Sequence, residues 1–168
     1  MGMLGYTGKY VMNNPVLRRG YVKVNEVVVL ESALTPEYLN YRGINILTID
    51  PFNCSLLDDP KTFDTHVDFD FHLKYYLEDG IIDSSVMIAV TFDEPMQYFR
   101  NVSRDTFTKY YHVPYGELGD DYQGTFSVIS MKSRTDYFST KSNGTQSLID
   151  PAWHGVGITG IYLFIYLS

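Results

Sequence analysis

A chain of 168 residues is sized for one domain with a core of its own, without disulfide or metal staples. Its net charge of −7, with Arg18-Arg19 the only adjacent basic pair, excludes nucleic acid as the main partner, because phosphate binding needs a clustered basic face. The single cysteine, Cys54, excludes an intrachain disulfide, and the apolar run Ile158 to Leu167 is too short for a spanning helix of about 20 residues.

Fifteen tyrosines and ten phenylalanines accompany one tryptophan and only Ala33, Ala89 and Ala152 as alanines. Scarce alanine withholds the best helix former, and tyrosine favours strands. The expected class is all-β.

Residues 1–20 read as an irregular N-terminal arm, interrupted by Gly2, Gly5, Gly8, Asn13-Asn14-Pro15 and Gly20. Tyr6, Tyr10 and Val11 make it apolar enough to pack, with a neighbouring subunit favoured. The start lacks a basic segment followed by an apolar run, so no signal peptide is expected. Residues 21–168 then form a single β domain.

Tyr21 to Glu31 predicts a strand with Val22, Val24, Val28 and Leu30 on one face, and Glu26 marks a bulge or an edge. Thr35-Pro36-Glu37 reads as a helix start, a threonine cap followed by proline at the first helical position. One short helix is expected over residues 36–41, closed by Arg42-Gly43. Ile44 to Ile49 predicts a strand and residues 51–64 a surface loop.

The strongest periodicity runs from Thr65 to Glu78. Val67, Phe69, Phe71, Leu73, Tyr75 and Leu77 alternate with His66, Asp68, Asp70, His72, Lys74, Tyr76 and Glu78. A period of two predicts a long, half-buried strand. Asp79-Gly80 would turn it into a return strand, Ile82 to Phe92, with Val86, Ile88, Val90 and Phe92 on one face. Met96 to Arg104 stays open between a helical turn and a loop.

Phe107 to Val113 reads as a strand and Pro114 to Gly124 as a loop. Thr125 to Lys132 is a strand with Phe126 and Val128 on one side and Ile129 and Met131 on the other. Thr135 to Thr140 is a strand, Ser142-Asn143-Gly144 a turn, and Leu148 and Ile149 a short strand. From Gly157 to Leu167 both faces are apolar, the mark of a strand covered on two sides. Left bare, it would invite aggregation. A homo-oligomer, with a trimer as one form, is therefore expected. Its interface would use Tyr6, Tyr10 and Val11 with Ile161, Tyr162, Leu163, Phe164, Ile165 and Tyr166. Eight to ten strands with frequent turns predict an antiparallel β-sandwich, jelly-roll-like.

Chemistry-bearing patterns are sparse. His66, Asp68, Asp70 and His72 would share one strand face, about 6.5 Å between neighbours, so an adjacent pair could grip a metal ion. About 20 Å separates the outer two, and a site would need a further ligand such as His112 or His154. The plainer account is a solvent-facing charged row, so no metal and no cofactor are expected. Asp58-Asp59 and Asp120-Asp121 offer oxygens for calcium but lack the EF-hand spacing. There is no G-x-S-x-G and no phosphate-binding glycine loop, so no catalytic residue stands out. Tyr110, Tyr115, Tyr122, Trp153 and His154 lie in or beside loops, where aromatic rings can stack on sugars or anchor a protein.

The sequence thus leads to a non-enzymatic structural protein, a capsid-associated or tail-tip component of a virion assembled in the host cytoplasm. Its partners would be copies of itself and other particle proteins, without nucleic acid and without membrane insertion. The alternatives are a carbohydrate-binding module and, behind it, a metal-dependent β-barrel enzyme.

Overall fold

Two runs of β-branched and apolar residues, Gly43–Ile49 and Val86–Phe92, form the centre of the molecule. The computed structural model describes residues 2–6, 21–24, 27–31, 34–35, 38–39, 42–53, 55–67, 70–92, 97–119, 124–132, 134–135, 137–143, 155–158 and 161–165. The strands are β1 (Gly2–Tyr6), β2 (Tyr21–Val24), β3 (Val27–Glu31), β4 (Leu34–Thr35), β5 (Tyr38–Leu39) and β6 (Gly43–Ile49). They continue as β7 (Lys61–Phe63), β8 (Val86–Phe92), β9 (Gly124–Met131), β10 (Tyr137–Asn143), β11 (Gly155–Ile158) and β12 (Ile161–Ile165). Helix α1 (Phe71–Tyr75) is extended by a π turn, Tyr76–Gly80, and α2 covers Asn101–Tyr111.

Four long antiparallel strands, in the order β10-β9-β8-β6, make the main sheet, with short β7 along β6. Ile46 lies opposite Ala89 and Ala89 opposite Val128, on one face. Leu47, Ile88 and Ile129 line up on the other. Each face has its own core. On one, Leu47, Ile49, Val86, Ile88, Val90 and Ile129 meet Val22 of β2 and Leu30 of β3. On the other, Ile44, Ile46, Met87, Ala89, Phe126 and Val128 meet Leu73, Leu77, Phe107 and Tyr111 from the helices. A sheet covered twice needs apolar residues at both parities, and all seven residues of β6 are buried. Two of the buried polar side chains of the sheet are paired: Asn45 accepts from the Thr62 hydroxyl at 2.8 Å, and Thr91 exchanges two hydrogen bonds with the Phe126 backbone.

A second sheet runs β11-β12-β1-β2-β3. Within it β1 pairs parallel with β12, Gly2 opposite Phe164, and antiparallel with β2.

Several expectations change. The long strand over residues 65–78 is instead a turn followed by α1 and its π extension. Leu73, Leu77 and Ile81, four apart, form the buried stripe, whereas Phe71 and Tyr75 are 52% and 60% exposed. Leu73 and Leu77 would be buried in a strand or a helix; what the helix adds is Ile81 on the same stripe and packing of all three with Phe107 and Tyr111 of α2. Phe107 to Val113 likewise belongs to α2 as far as Tyr111, with Ser103, Arg104, Phe107 and Tyr111 buried at helical spacing.

The expected short helix at 36–41 is contradicted: Tyr38–Leu39 is strand β5, with Leu39 opposite Leu34 and Tyr38 opposite Thr35. A proline after threonine suits the second position of a tight turn as well as a helix start. Tyr21 to Glu31 is a hairpin of β2 and β3, with Val24 opposite Val27, and its irregularity falls between Val22 and Lys23. The irregular arm begins with an ordered strand, β1, while residues 7–20 lie outside the described residues. The loop 51–64 contains β7, and Asn143 ends β10 opposite Gly124. The terminal strand is two, β11 and β12, with Ile158 opposite Ile161. Leu148 and Ile149 lie outside the described residues.

Candidate functional site

The polar side chains with the most constrained geometry gather where β7 runs into α1. Gly43 opens β6 at φ +96°, with Phe63, Asp64 and Thr65 packed against it so closely that only a hydrogen fits in place of a Cβ. Past Phe63, the Asp64 carboxylate is held by Arg42, Nε to Oδ1 at 3.0 Å and Nη2 to Oδ2 at 2.7 Å. The backbone N–H of His66 also donates to Asp64 Oδ1, at 3.2 Å. The Thr65 carbonyl accepts from the Tyr98 N–H at 2.8 Å, tying the turn to the segment before α2.

Asp70 occupies the N-cap position of α1 but makes no capping hydrogen bond. Its Oδ2 accepts from the Arg100 N–H at 2.9 Å, and its carbonyl accepts from Ser103 Oγ and from the Lys74 N–H. One residue thus joins the starts of both helices. Asp70 is 2% exposed, and its Oδ1 has no hydrogen-bond partner. Beside it lies a cleft of about 250 Å³, lined by Thr62, Phe63, Asp64 and Thr65 on one side and by Asp70 and His72 on the other. Fixed carboxylates, hydroxyls and an imidazole around such a space suit hydrogen-bonded recognition.

The metal candidates do not form a strand-face ladder, although Asp70 and His72 line the same cleft. His66 lies in the turn, Asp70 is buried at the helix start, and His72 is exposed on α1. Asp68 is outside the described residues. Among those described, no three His, Cys, Asp or Glu side chains converge on a point. His112 stops α2 in the left-handed region at φ 55°, its N–H reaching the Phe107 carbonyl, and its side chain is exposed. Asp58 is a surface group paired with Lys61 at 2.9 Å. The Lys61 hydrogen bond, then that of the Asp59 N–H, holds the Asp58 carboxyl below its ordinary range. Asp59 is likewise exposed, while Asp120 and Asp121 lie outside the described residues.

Of the aromatic candidates, Tyr110 and Tyr115 are described, and they lie at opposite ends of α2. Tyr110 is half-buried against the helix-side core, with Lys109 and Lys132 at 4.5 and 5.9 Å from its ring. Tyr115 bonds Asn101 through its hydroxyl, and the buried Arg104 guanidinium lies 5.2 Å from its ring. Asn101 begins α2 and Tyr110 falls in its last turn, about 13 Å along the axis. Tyr122, Trp153 and His154 lie outside the described residues, as do Tyr10, Val11 and Tyr166. Of the interface candidates, Tyr6 ends β1, and Ile161, Tyr162, Leu163, Phe164 and Ile165 make up β12.

The sequence carried no sign of the Arg42–Asp64 pair, whose members are 22 residues apart. Gly43 did carry one, as a glycine at the mouth of an apolar run, where close backbone approach is a standard reading.

No protein-family model matches the chain, and no curated protein is significantly similar to it. No described helix is long and apolar enough to cross a membrane.

Proposed function

We propose that the chain is a non-enzymatic assembly protein, a jelly-roll-like β-sandwich that forms homo-oligomers within a larger particle. A virion built in the host cytoplasm is the setting that fits best, with other particle proteins as neighbours. One observation carries the reading: β12, whose sequence is apolar at both parities, runs inside its sheet between β11 and β1 rather than at an edge. A strand so placed has two faces to cover, and its own domain supplies a natural cover for one. A second copy is the simplest cover for the other.

Light scattering at micromolar concentration tests this. A multiple of the 19.3 kDa chain mass is expected, and a strict monomer refutes the assembly reading. A second reading, carbohydrate binding, is favoured by the polar cleft between β7 and α1. A metal-dependent enzyme would need further ligands, since among the described residues no three His, Cys, Asp or Glu side chains gather around a metal position.

A further inference from the structure

We propose that the cleft between β7 and α1 binds a single neutral sugar ring. This deepens the carbohydrate reading and moves it from the Trp153 loop to a site with described geometry. Asp70 is the residue with an unmet need. Its carbonyl and Oδ2 are satisfied, while Oδ1 is buried without a hydrogen bond, a shortfall that proteins rarely leave uncorrected. The missing group is a donor.

The charge balance selects which donor. Asp64 is already neutralised by the two-pronged contact with Arg42. Asp70 faces the Arg100 N–H at the head of α2, where the helix dipole favours an anion. Neither carboxylate therefore demands a cation, and among the described residues no third acidic, histidine or cysteine side chain joins them around a metal. A neutral hydroxyl meets the need.

The other walls fit the same ligand. The Thr62 hydroxyl donates to Asn45, which leaves its own oxygen able to accept. The His72 imidazole is exposed at the rim, able to donate from one nitrogen and accept at the other. Phe63 and Leu73 give an apolar wall for the C–H face of a ring. Acceptors held rigid before binding lower its entropic cost. At about 250 Å³ the space falls below the roughly 300 Å³ at which drug-sized ligands begin, which suits one ring rather than a chain. An acidic sugar would bring a third carboxylate beside Asp64 and Asp70 and be repelled.

Saturation-transfer NMR on the full chain tests the site, using glucose, galactose, N-acetylglucosamine and N-acetylneuraminic acid as probes. At least one neutral sugar is expected to bind saturably, and N-acetylneuraminic acid is not. His72→Ala, at an exposed position, should weaken binding about threefold to tenfold with an unchanged melting temperature, as for one lost hydrogen bond. Asp70→Asn should weaken it at least tenfold. If Asp70→Asn does not fold, the His72 variant still decides the matter. The proposal is overturned if no neutral sugar binds, if the acidic sugar binds equally well, if His72→Ala leaves binding unchanged, or if calcium chloride alone occupies the cleft. None of these outcomes alters the mass in solution, so the assembly reading stands or falls separately.

Discussion

Replacing Tyr111 by phenylalanine isolates one buried hydroxyl. Tyr111 is fully buried, and its hydroxyl donates to the Leu77 carbonyl at 2.8 Å, at the π turn that extends α1. Removing the donor leaves that carbonyl short of a partner in the core, at a cost of about 1–3 kcal/mol at neutral pH. A second effect appears at alkaline pH. Burial, then the Asp83 charge and Tyr76, pushes the Tyr111 hydroxyl well above its ordinary value of 10.0. In the unfolded chain the same phenol ionises near pH 10, so the unfolded state loses its proton first. A raised folded value means stability that is complete below pH 10 and declines as the pH climbs beyond it. At pH 11 the unfolded state gains about 1.4 kcal/mol from this one group. Phenylalanine has no proton to lose. The variant should therefore start lower and decline less steeply, closing the gap with the parent by about 1.4 kcal/mol between pH 8 and pH 11. Urea unfolding followed by circular dichroism measures both curves. Parallel curves would refute the burial of the phenol, and equal stability at pH 7 would refute the hydrogen bond.

Gly43→Ala should lower the melting temperature by several degrees or abolish folding, because the new Cβ meets the Phe63 carbonyl oxygen at a backbone φ of +96°. A melting curve matching the parent would mean that β6 and β7 do not approach as described. Lys61→Met should let the Asp58 carboxyl return upward toward its ordinary 3.8, read by NMR titration of the side-chain carbon; an unmoved midpoint contradicts the pairing.

Alternation in the sequence located β6, β8 and β9, including the two parities of Phe126-Val128 and Ile129-Met131, because a sheet covered on both faces states its register in its side chains. It misled at residues 65–78, where Leu73 and Leu77 satisfy a period of two and a spacing of four at once. What separates the two is whether Phe71 and Tyr75 are buried, and that depends on α2, a helix that begins only at Asn101. The short helix expected over residues 36–41 failed for a similar reason, since a proline's fixed φ serves two local structures. The cleft was legible only as residue types. Asp70 and His72 stood out, but as neighbours on a strand, and the contacts that fix Asp70 come from Arg100 and Ser103.

The parallel pairing of β1 with β12 sets Gly2 opposite Phe164, segments far apart in sequence. A nascent polypeptide can complete the sheet of β6, β8 and β9 before β12 is made, whereas one side of β1 must wait for a neighbour encoded much later in the sequence. Closing so large a loop is slow, because its entropic cost falls due before any contact rewards it. During that interval one side of β1 is open to any other extended segment, including the β12 of another molecule. Exchange of these strands between chains thereby becomes a built-in hazard of biosynthesis.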